Sequence, residues 1–257
     1  PRDLGPCHLV AAGGVAGRML SRHARLRTPT SIRPEGLLVD NQGNVLNLRR
    51  FGLKVAQIAG TDPVPVIGVL GTSMNAGKTT AAAALVHGLS SAGLKVAAIK
   101  ATGTGSGNDV WSLEDAGASL VLDFSDAGYP STYKVPPVEI EHLFDRLVTH
   151  ARQQDVDAVV VEVADGLLHE ETATLVAGDV FRETVDTVIF CAGDALGARG
   201  GVEWLELAGV PVAGVSGAVT ASPLAMREVS GAVRLPVFTR ECLASPAVAD
   251  KLLPEAS

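Results

Sequence analysis

Aromatic side chains are scarce in this chain: six Phe, two Trp and two Tyr in 257 residues. Ala, Val and Leu must fill the interior instead, a composition suited to a parallel sheet buried under helices on both faces. Cysteine is scarce too. Cys7, Cys191 and Cys242 lie far apart, without a Cys-x-x-Cys pair or zinc spacing, which excludes a disulfide scaffold and a zinc module. Such a count fits a reducing cytoplasm, and Cys191, at the end of an apolar run, reads as a small core residue. No apolar run approaches the ~18–20 residues that span a bilayer, so no membrane partner is expected. No signal peptide is visible in a sequence that starts at Pro1. His169-Glu170-Glu171 is not a His-Glu-x-x-His motif and is assigned no metal.

Acidic residues dominate, with a net charge of −7, but unevenly. Residues 1–60 carry nine Lys/Arg against three Asp/Glu, and residues 61–257 carry twelve against twenty-five. The acidic part argues against nucleic-acid binding, which needs a broad basic surface. The basic part is either an attractor for an anionic partner or a face that is solvated or docked on the acidic domain. Within it, His8 to Ala12 reads as a short strand and Arg18 to Leu26 as a helix with Arg18, Arg22 and Arg25 on one face. Gly13-Gly14-Val15-Ala16-Gly17 is a tight turn or a weak anion site. Gly36 to Asp40 and Val45 to Leu48 flank Asn41-Gln42-Gly43-Asn44 as a hairpin. Thr61-Asp62-Pro63 reads as a linker, giving a small basic unit at 1–60 and a larger domain at 64–257.

From Val64 onward strands and helices alternate. Strands are expected at Val64–Leu70, Lys95–Lys100, Ala158–Val163, Thr187–Cys191, Val210–Val215 and Pro236–Phe238. Helices are expected at Lys78–Ser91, Asp109–Ala116, Val138–Gln153, Gly201–Leu207, Pro223–Val229 and Pro246–Leu252. The fold class is α/β: a mostly parallel sheet with helices on both faces, plus a small N-terminal α+β unit.

One stretch of the larger domain carries chemistry. After the β-rich run Val64 to Leu70 comes Gly71-Thr72-Ser73-Met74-Asn75-Ala76-Gly77-Lys78-Thr79-Thr80, and then an alanine-rich helical run. Strand, glycine-bounded loop, Gly-Lys-Thr and helix is the context of a phosphate-binding P-loop. Backbone N–H groups of residues 72–80 and the helix N-terminus form a nest for a polyanion. Lys78 suits the β- and γ-phosphates and the Thr79 hydroxyl suits Mg²⁺. The loop departs from the usual spacing: its first glycine is Gly71 and not residue 72, so it is one residue longer.

Ligands of open parallel sheets sit at the carboxyl ends of the strands. Lys100 ends the second strand of the domain and is either a phosphate-neutralising group or a solvated lysine. Asp109 is either a helix cap or a metal ligand. Glu162 follows three valines in a buried strand, where an unpaired charge is expensive, which favours a metal role. Asp165 either moves a proton or caps a turn. Arg199, in an expected flexible loop at 193–201, either reaches phosphate or is solvated.

Gly71-Thr72 with Gly77-Lys78-Thr79, and the run Val159 to Leu168, resemble the P-loop and the Val-Val-Glu-Gly-Ala-Gly-Gly-Leu segment of dethiobiotin synthetases. That resemblance implies Thr79, Asp109 and Glu162 as Mg²⁺ ligands and Lys78 and Lys100 as phosphate ligands. Ile99-Lys100 and Gly107 to Ala118 resemble a segment of molybdopterin-guanine dinucleotide biosynthesis B proteins, which are GTP-binding relatives. Some P-loop proteins with an extra N-terminal domain resemble N-acyltransferases, a layout that residues 1–60 fit loosely. Val163 and Asp165 replace glycines of the synthetase segment, which puts its substrate pocket in doubt here. No Asn-Lys-x-Asp motif appears, and Val215 to Ala218 lacks the asparagine expected for adenine readout.

The function expected from these readings is an enzyme using ATP and Mg²⁺, a ligase or kinase that phosphorylates a carboxylate or carbamate of a small molecule. Lys78, Lys100 and Asp165 are its expected catalytic residues. The alternatives are a GTP- or ATP-binding accessory protein of cofactor biosynthesis, and an N-acyltransferase whose loop holds coenzyme A phosphates. By family analogy a homodimer is expected.

Overall fold

The computed structural model describes residues 3–54 and 64–253; the expected linker at 61–63 lies outside them. The N-terminal segment forms a three-stranded antiparallel sheet from β1 (Cys7–Leu9), β2 (Ala16–Gly17) and β3 (Ser31–Ile32), in the order β2-β1-β3. The larger domain runs β4 (Val66–Gly71), α1 (Lys78–Ser91), β5 (Val96–Lys100), α2 (Gly107–Asp115), β6 (Leu120–Asp123) and α3 (Pro137–Arg152). It continues β7 (Ala158–Glu162), α4 (Glu170–Ala177), α5 (Asp179–Thr184), β8 (Thr187–Cys191), α6 (Ala195–Leu207) and β9 (Val212–Ser216). Three helices close it: α7 (Pro223–Ala232), α8 (Arg240–Leu243) and α9 (Ala249–Leu252).

Six strands pair in parallel in the order β6-β5-β7-β4-β8-β9. Alternation along each strand divides the core in two. Val66 and Leu70 of β4 face a cluster with Phe144, Phe181 and Leu205, on the side of α3 to α7. Ile67 and Val69 face Leu85, Leu89, Leu113 and Leu243, on the side of α1, α2, α8 and α9. Both faces of the sheet are therefore dry, as its unbroken apolar strands require. β4 lies between β7 and β8, so the chain leaves it toward one side through α1 and β5 and later returns to its other side with β8. That reversal opens a crevice at the carboxyl end of the central strands.

Several expectations are corrected. Residues 18–26 form no helix, only a turn near 24–26. Leu20 and Leu26 are exposed there, and a nine-residue helix without a buried face is marginal in water. The first N-terminal strand is Cys7–Leu9, shorter and shifted from 8–12. At 36–48 the turn forms, with Asp40 accepting from the amides of Gln42 and Asn44, but its flanks share a single bridge, Val39 to Val45. Residues 236–238 likewise contribute one parallel bridge, Val237 to Val215. β6, α4, α5 and α8 lie in stretches whose sequence pattern predicts no element. α6 begins six residues before Gly201, capped by the Asp194 side chain on the Gly197 amide at 2.7 Å.

Candidate functional site

β4 ends at Gly71 because the chain is crowded there. A Cβ at Gly71 would lie 2.9 Å from the Cys191 carbonyl oxygen and 2.9 Å from Cγ of Lys78. This accounts for the shifted glycine: the residue under the lysine stem must be bare, while Thr72 turns away. Its amide donates to Cys191 O at 2.9 Å and its methyl faces Gly197 on α6. The loop then passes through positive φ at Asn75 and Gly77, and α1 starts at Lys78. The Ala218 amide donates to Ala76 O at 2.8 Å, fastening the loop to the turn after β9.

The loop borders a cleft of about 540 Å³. Met74, Asn75, Gly77, Lys78, Thr79 and Thr80 form one wall, and Lys100, Gly103, Thr104, Asp109, Glu162, Ala164 and Asp165 form the other. All three candidate catalytic residues and all three candidate metal ligands therefore share one cavity. Of the expected phosphate-loop residues, Thr72, Ser73 and Ala76 do not line it; Ser73 offers its carbonyl to Lys78 Nζ at 2.8 Å.

The sheet register brings the charges together. Lys100 on β5 is opposite Glu162 on β7, and Glu162 is opposite Val69 on β4. Glu162 Oε1 accepts from Thr79 Oγ1 at 2.9 Å and lies 3.9 Å from Lys100 Nζ, which also pairs with Asp109. Glu162 Oε2 is buried without a partner. Burial pushes the Glu162 carboxyl above the usual range, against the pull of Lys100 and Thr79. Burial likewise lowers the Lys78 ammonium, against Glu162 and Asp165. Glu162, Lys78 and Lys100 are only 2%, 6% and 8% exposed. Beneath them the Cys191 thiol is pushed up to about 12 by burial, as expected of a core residue and not a nucleophile.

A buried carboxylate oxygen without a donor, beside a hydroxyl and a second carboxylate, fits a hard cation held jointly with phosphate. Among the described residues no group of three or more His, Cys, Asp or Glu forms a cation site by itself. Arg199 lies on α6, exposed and paired with Glu203 at 2.7 Å, away from the cleft.

Two neighbouring cavities were not foreseen. One of about 440 Å³ continues past Asn75 and Thr80 to Ser216–Ala218, Arg240 and Glu241. Another of about 80 Å³ shares Gly103, Thr104, Ala164 and Asp165 with the cleft and ends at Thr132, His169, Glu171 and Thr172. Their residues come from distant segments and carry no local motif.

The parallel sheet, the loop before α1 and the strand acid beside it give this chain the α/β fold of the P-loop NTPases. A family model described as molybdopterin guanine dinucleotide synthesis protein B matches residues 66–189. No curated protein matches the chain. Among solved structures, the signal recognition particle receptor FtsY from Elizabethkingia anophelis in complex with GDP is similar at 19% identity and a TM-score of 0.50. That match covers 78% of this chain and 67% of that one. A DUF1611 family protein from Anabaena variabilis is similar at 16% identity and a TM-score of 0.53, covering 82% of this chain and 64% of that one. These likenesses concern the fold. No described helix is long and apolar enough to cross a membrane.

Proposed function

We propose that this chain is a Mg²⁺-dependent phosphoryl-transfer enzyme, a ligase or kinase that uses a nucleoside triphosphate to activate a small molecule. One observation carries the reading: Lys78, Lys100, Asp109, Glu162 and Asp165 line one cleft beside the loop, more charge than holding phosphate alone requires. Thr79 and Glu162, with Asp109, would hold Mg²⁺, which when bound supplies charge neutralisation to the phosphates. Lys78 exchanges its bond to Ser73 O for phosphate oxygen, and Lys100 neutralises charge on the transferring group. The cavity reaching Glu241 has room for the nucleoside, and an adenine or guanine edge can bond the turn at 216–218. The carboxylate or carbamate acceptor and the preference for ATP rest on the synthetase resemblance.

A second reading, a nucleotide-binding accessory protein of cofactor biosynthesis, is favoured by the family match over 66–189. Calorimetry with ATP, GTP and acetyl-coenzyme A, each with and without Mg²⁺, separates these readings and the acyl-transfer alternative. The enzyme reading expects Mg²⁺-dependent nucleotide binding, and coenzyme A as the preferred ligand would sink it. Lys78→Ala is expected to lower phosphate release by about 10²-fold or more while circular dichroism stays unchanged. A folded, fully active Lys78→Ala protein would also overturn it.

A further inference from the structure

The small cavity beside the cleft contains a pair of groups that phosphate binding does not use. His169 precedes α4 and Glu171 lies in its first turn. His169 Nδ1 is 2.7 Å from Glu171 Oε2. A carboxylate oxygen and a bare ring nitrogen are both acceptors, so this contact requires the proton on Nδ1. Nε2 then keeps its lone pair in the neutral ring, and His169 lines the cavity.

Glu171 is locked in turn. Its Oε1 accepts the Lys134 amide at 2.8 Å, delivered by a backbone held at φ 58°, a region that lysine seldom adopts. Burial raises the Glu171 carboxyl, but the amides of Lys134 and Glu171 and the neighbouring His169 outweigh it and hold it below the usual range. It therefore stays ionised and orients the ring. Three buried threonines shape the cavity, and two of them, Thr102 and Thr172, spend their hydroxyls on Ala164 O. The charged and titratable groups facing His169 there are Asp165, Glu171 and Tyr133, with Lys134 stacked on the Tyr133 ring.

We propose that His169, oriented by Glu171, is the general base for a second substrate that presents a proton-bearing nucleophile, an alcohol or an amine, in this cavity. The inference rests on the phosphoryl-transfer reading and replaces the carboxylate or carbamate acceptor implied by the synthetase resemblance with a proton-bearing one, because an ionised carboxylate offers His169 no proton. The cavity's own walls add carboxylates and no cation, so they suit a neutral or cationic head group better than an anionic one. In the step, the acceptor oxygen or nitrogen forms its bond to the terminal phosphorus as the bond to the leaving nucleoside diphosphate oxygen breaks. The leaving oxygen takes that electron pair, and the acceptor's proton passes to His169 Nε2.

The test uses the full chain as wild type, His169→Gln and Glu171→Gln, with MgATP and MgGTP, and with water as the acceptor. Calorimetry reads nucleotide affinity, and single-turnover phosphate release is followed from about pH 5.5 to 9. All three proteins are expected to bind nucleotide within about twofold of one another, since neither residue lines the phosphate cleft. His169→Gln is expected to release phosphate about 10²-fold more slowly and to lose the acid limb of the profile. Glu171→Gln is expected to slow release about tenfold at unchanged nucleotide affinity, because its amide no longer fixes the proton on Nδ1. A structural role for Glu171 would instead lower the melting temperature and the nucleotide affinity together.

A wild-type rate and profile in His169→Gln overturns the dyad and leaves the phosphoryl-transfer reading standing. A wild-type protein that binds no nucleotide overturns both. If it binds without hydrolysing, the same three proteins are assayed with glycerol and with ethanolamine as acceptors: phosphorylated product formed about 10²-fold more slowly by His169→Gln supports the base, and no product from either acceptor overturns it.

Discussion

The two parts of this chain solve the problem of folding in opposite ways. In the larger domain every strand residue of β4, β5 and β7 is buried, and two apolar clusters flank the sheet. In the N-terminal segment no residue from 3 to 54 is buried. That segment also holds eleven of the nineteen large apolar side chains exposed among the described residues, Leu20, Leu38 and Phe51 among them. It is held to the domain by the half-buried Leu53 packed on the core and by single polar contacts: the Gly13 amide on Gly105 O at 3.0 Å, the Leu53 amide on Asp126 O at 2.7 Å, and Arg49 on Glu139. Cooperative stability therefore belongs to the domain, and the segment follows it.

The strongest way to break this comparison is to set a core truncation against removal of the whole segment. Phe144 is fully buried on α3 and meets Phe181 of α5 at a ring separation of 5.4 Å. Phe144→Ala is expected to destabilise the domain by about 3–5 kcal/mol in urea unfolding. Deleting residues 1–52, which leaves Leu53 on the core, is expected to shift the same transition by less than about 1 kcal/mol, since no residue of the deleted stretch is buried. A deletion as damaging as Phe144→Ala would show that the segment completes the core.

A second comparison lies inside the domain, between its apolar core and the charge buried at its edge. The folded Glu162 carboxyl is raised above its unfolded value by burial. At pH below the unfolded value the group is protonated in both states and costs nothing. As pH rises past that value the unfolded chain ionises first, so the folded state loses stability until its own raised value is passed. Glu162→Gln removes this loss. Without ligand, the variant is expected to match wild type in acid and to melt higher at neutral pH. The same substitution should abolish the Mg²⁺ dependence of nucleotide binding. A lower Tm at neutral pH would show that the bonds to Thr79 and Lys100 outweigh the burial of the charge.

What could be read in the sequence follows the same division. The loop at 71–80 and the acid after three valines are contiguous, and their chemistry is local, so their position survives folding unchanged. The helix read over 18–26 rested on spacing alone and found no surface to bury against. The first six residues of α6 were hidden by Gly197, Gly200 and Gly201, which read as a flexible loop, while the helix expected over 201–207 is its second half. A Cβ at Gly201 would lie 2.0 Å from the Phe190 ring, so that glycine permits close packing inside a helix and does not loosen a loop. His169 and Glu171 match no local motif, and nothing in their own stretch marks them as a pair facing a cavity. Their setting depends on the Lys134 amide, 37 positions from Glu171, and on a cavity no local pattern reveals.

The smallest expected effect sharpens the account of how the segment is held. Arg49 sits 4.7 Å from the Tyr129 ring centre and bonds Glu139 Oε2 at 2.9 Å, and the Tyr129 hydroxyl donates to the same oxygen at 2.9 Å. The pair is well shaped but largely solvated, which limits it to about 1 kcal/mol or less. Arg49→Ala is therefore expected to leave the domain's melting temperature within about 1 °C of wild type. It is expected to raise the rate of tryptic cleavage at Arg18 to Arg33 by about fivefold or less, because local opening, not global unfolding, exposes those sites. Added salt should shrink the difference between the two proteins, since screening weakens the pair in wild type and has nothing to weaken in the variant. Cleavage that does not change would assign the tether to the backbone bonds at Gly13 and Leu53. A fall in the melting temperature of several degrees would mean that segment and domain unfold together.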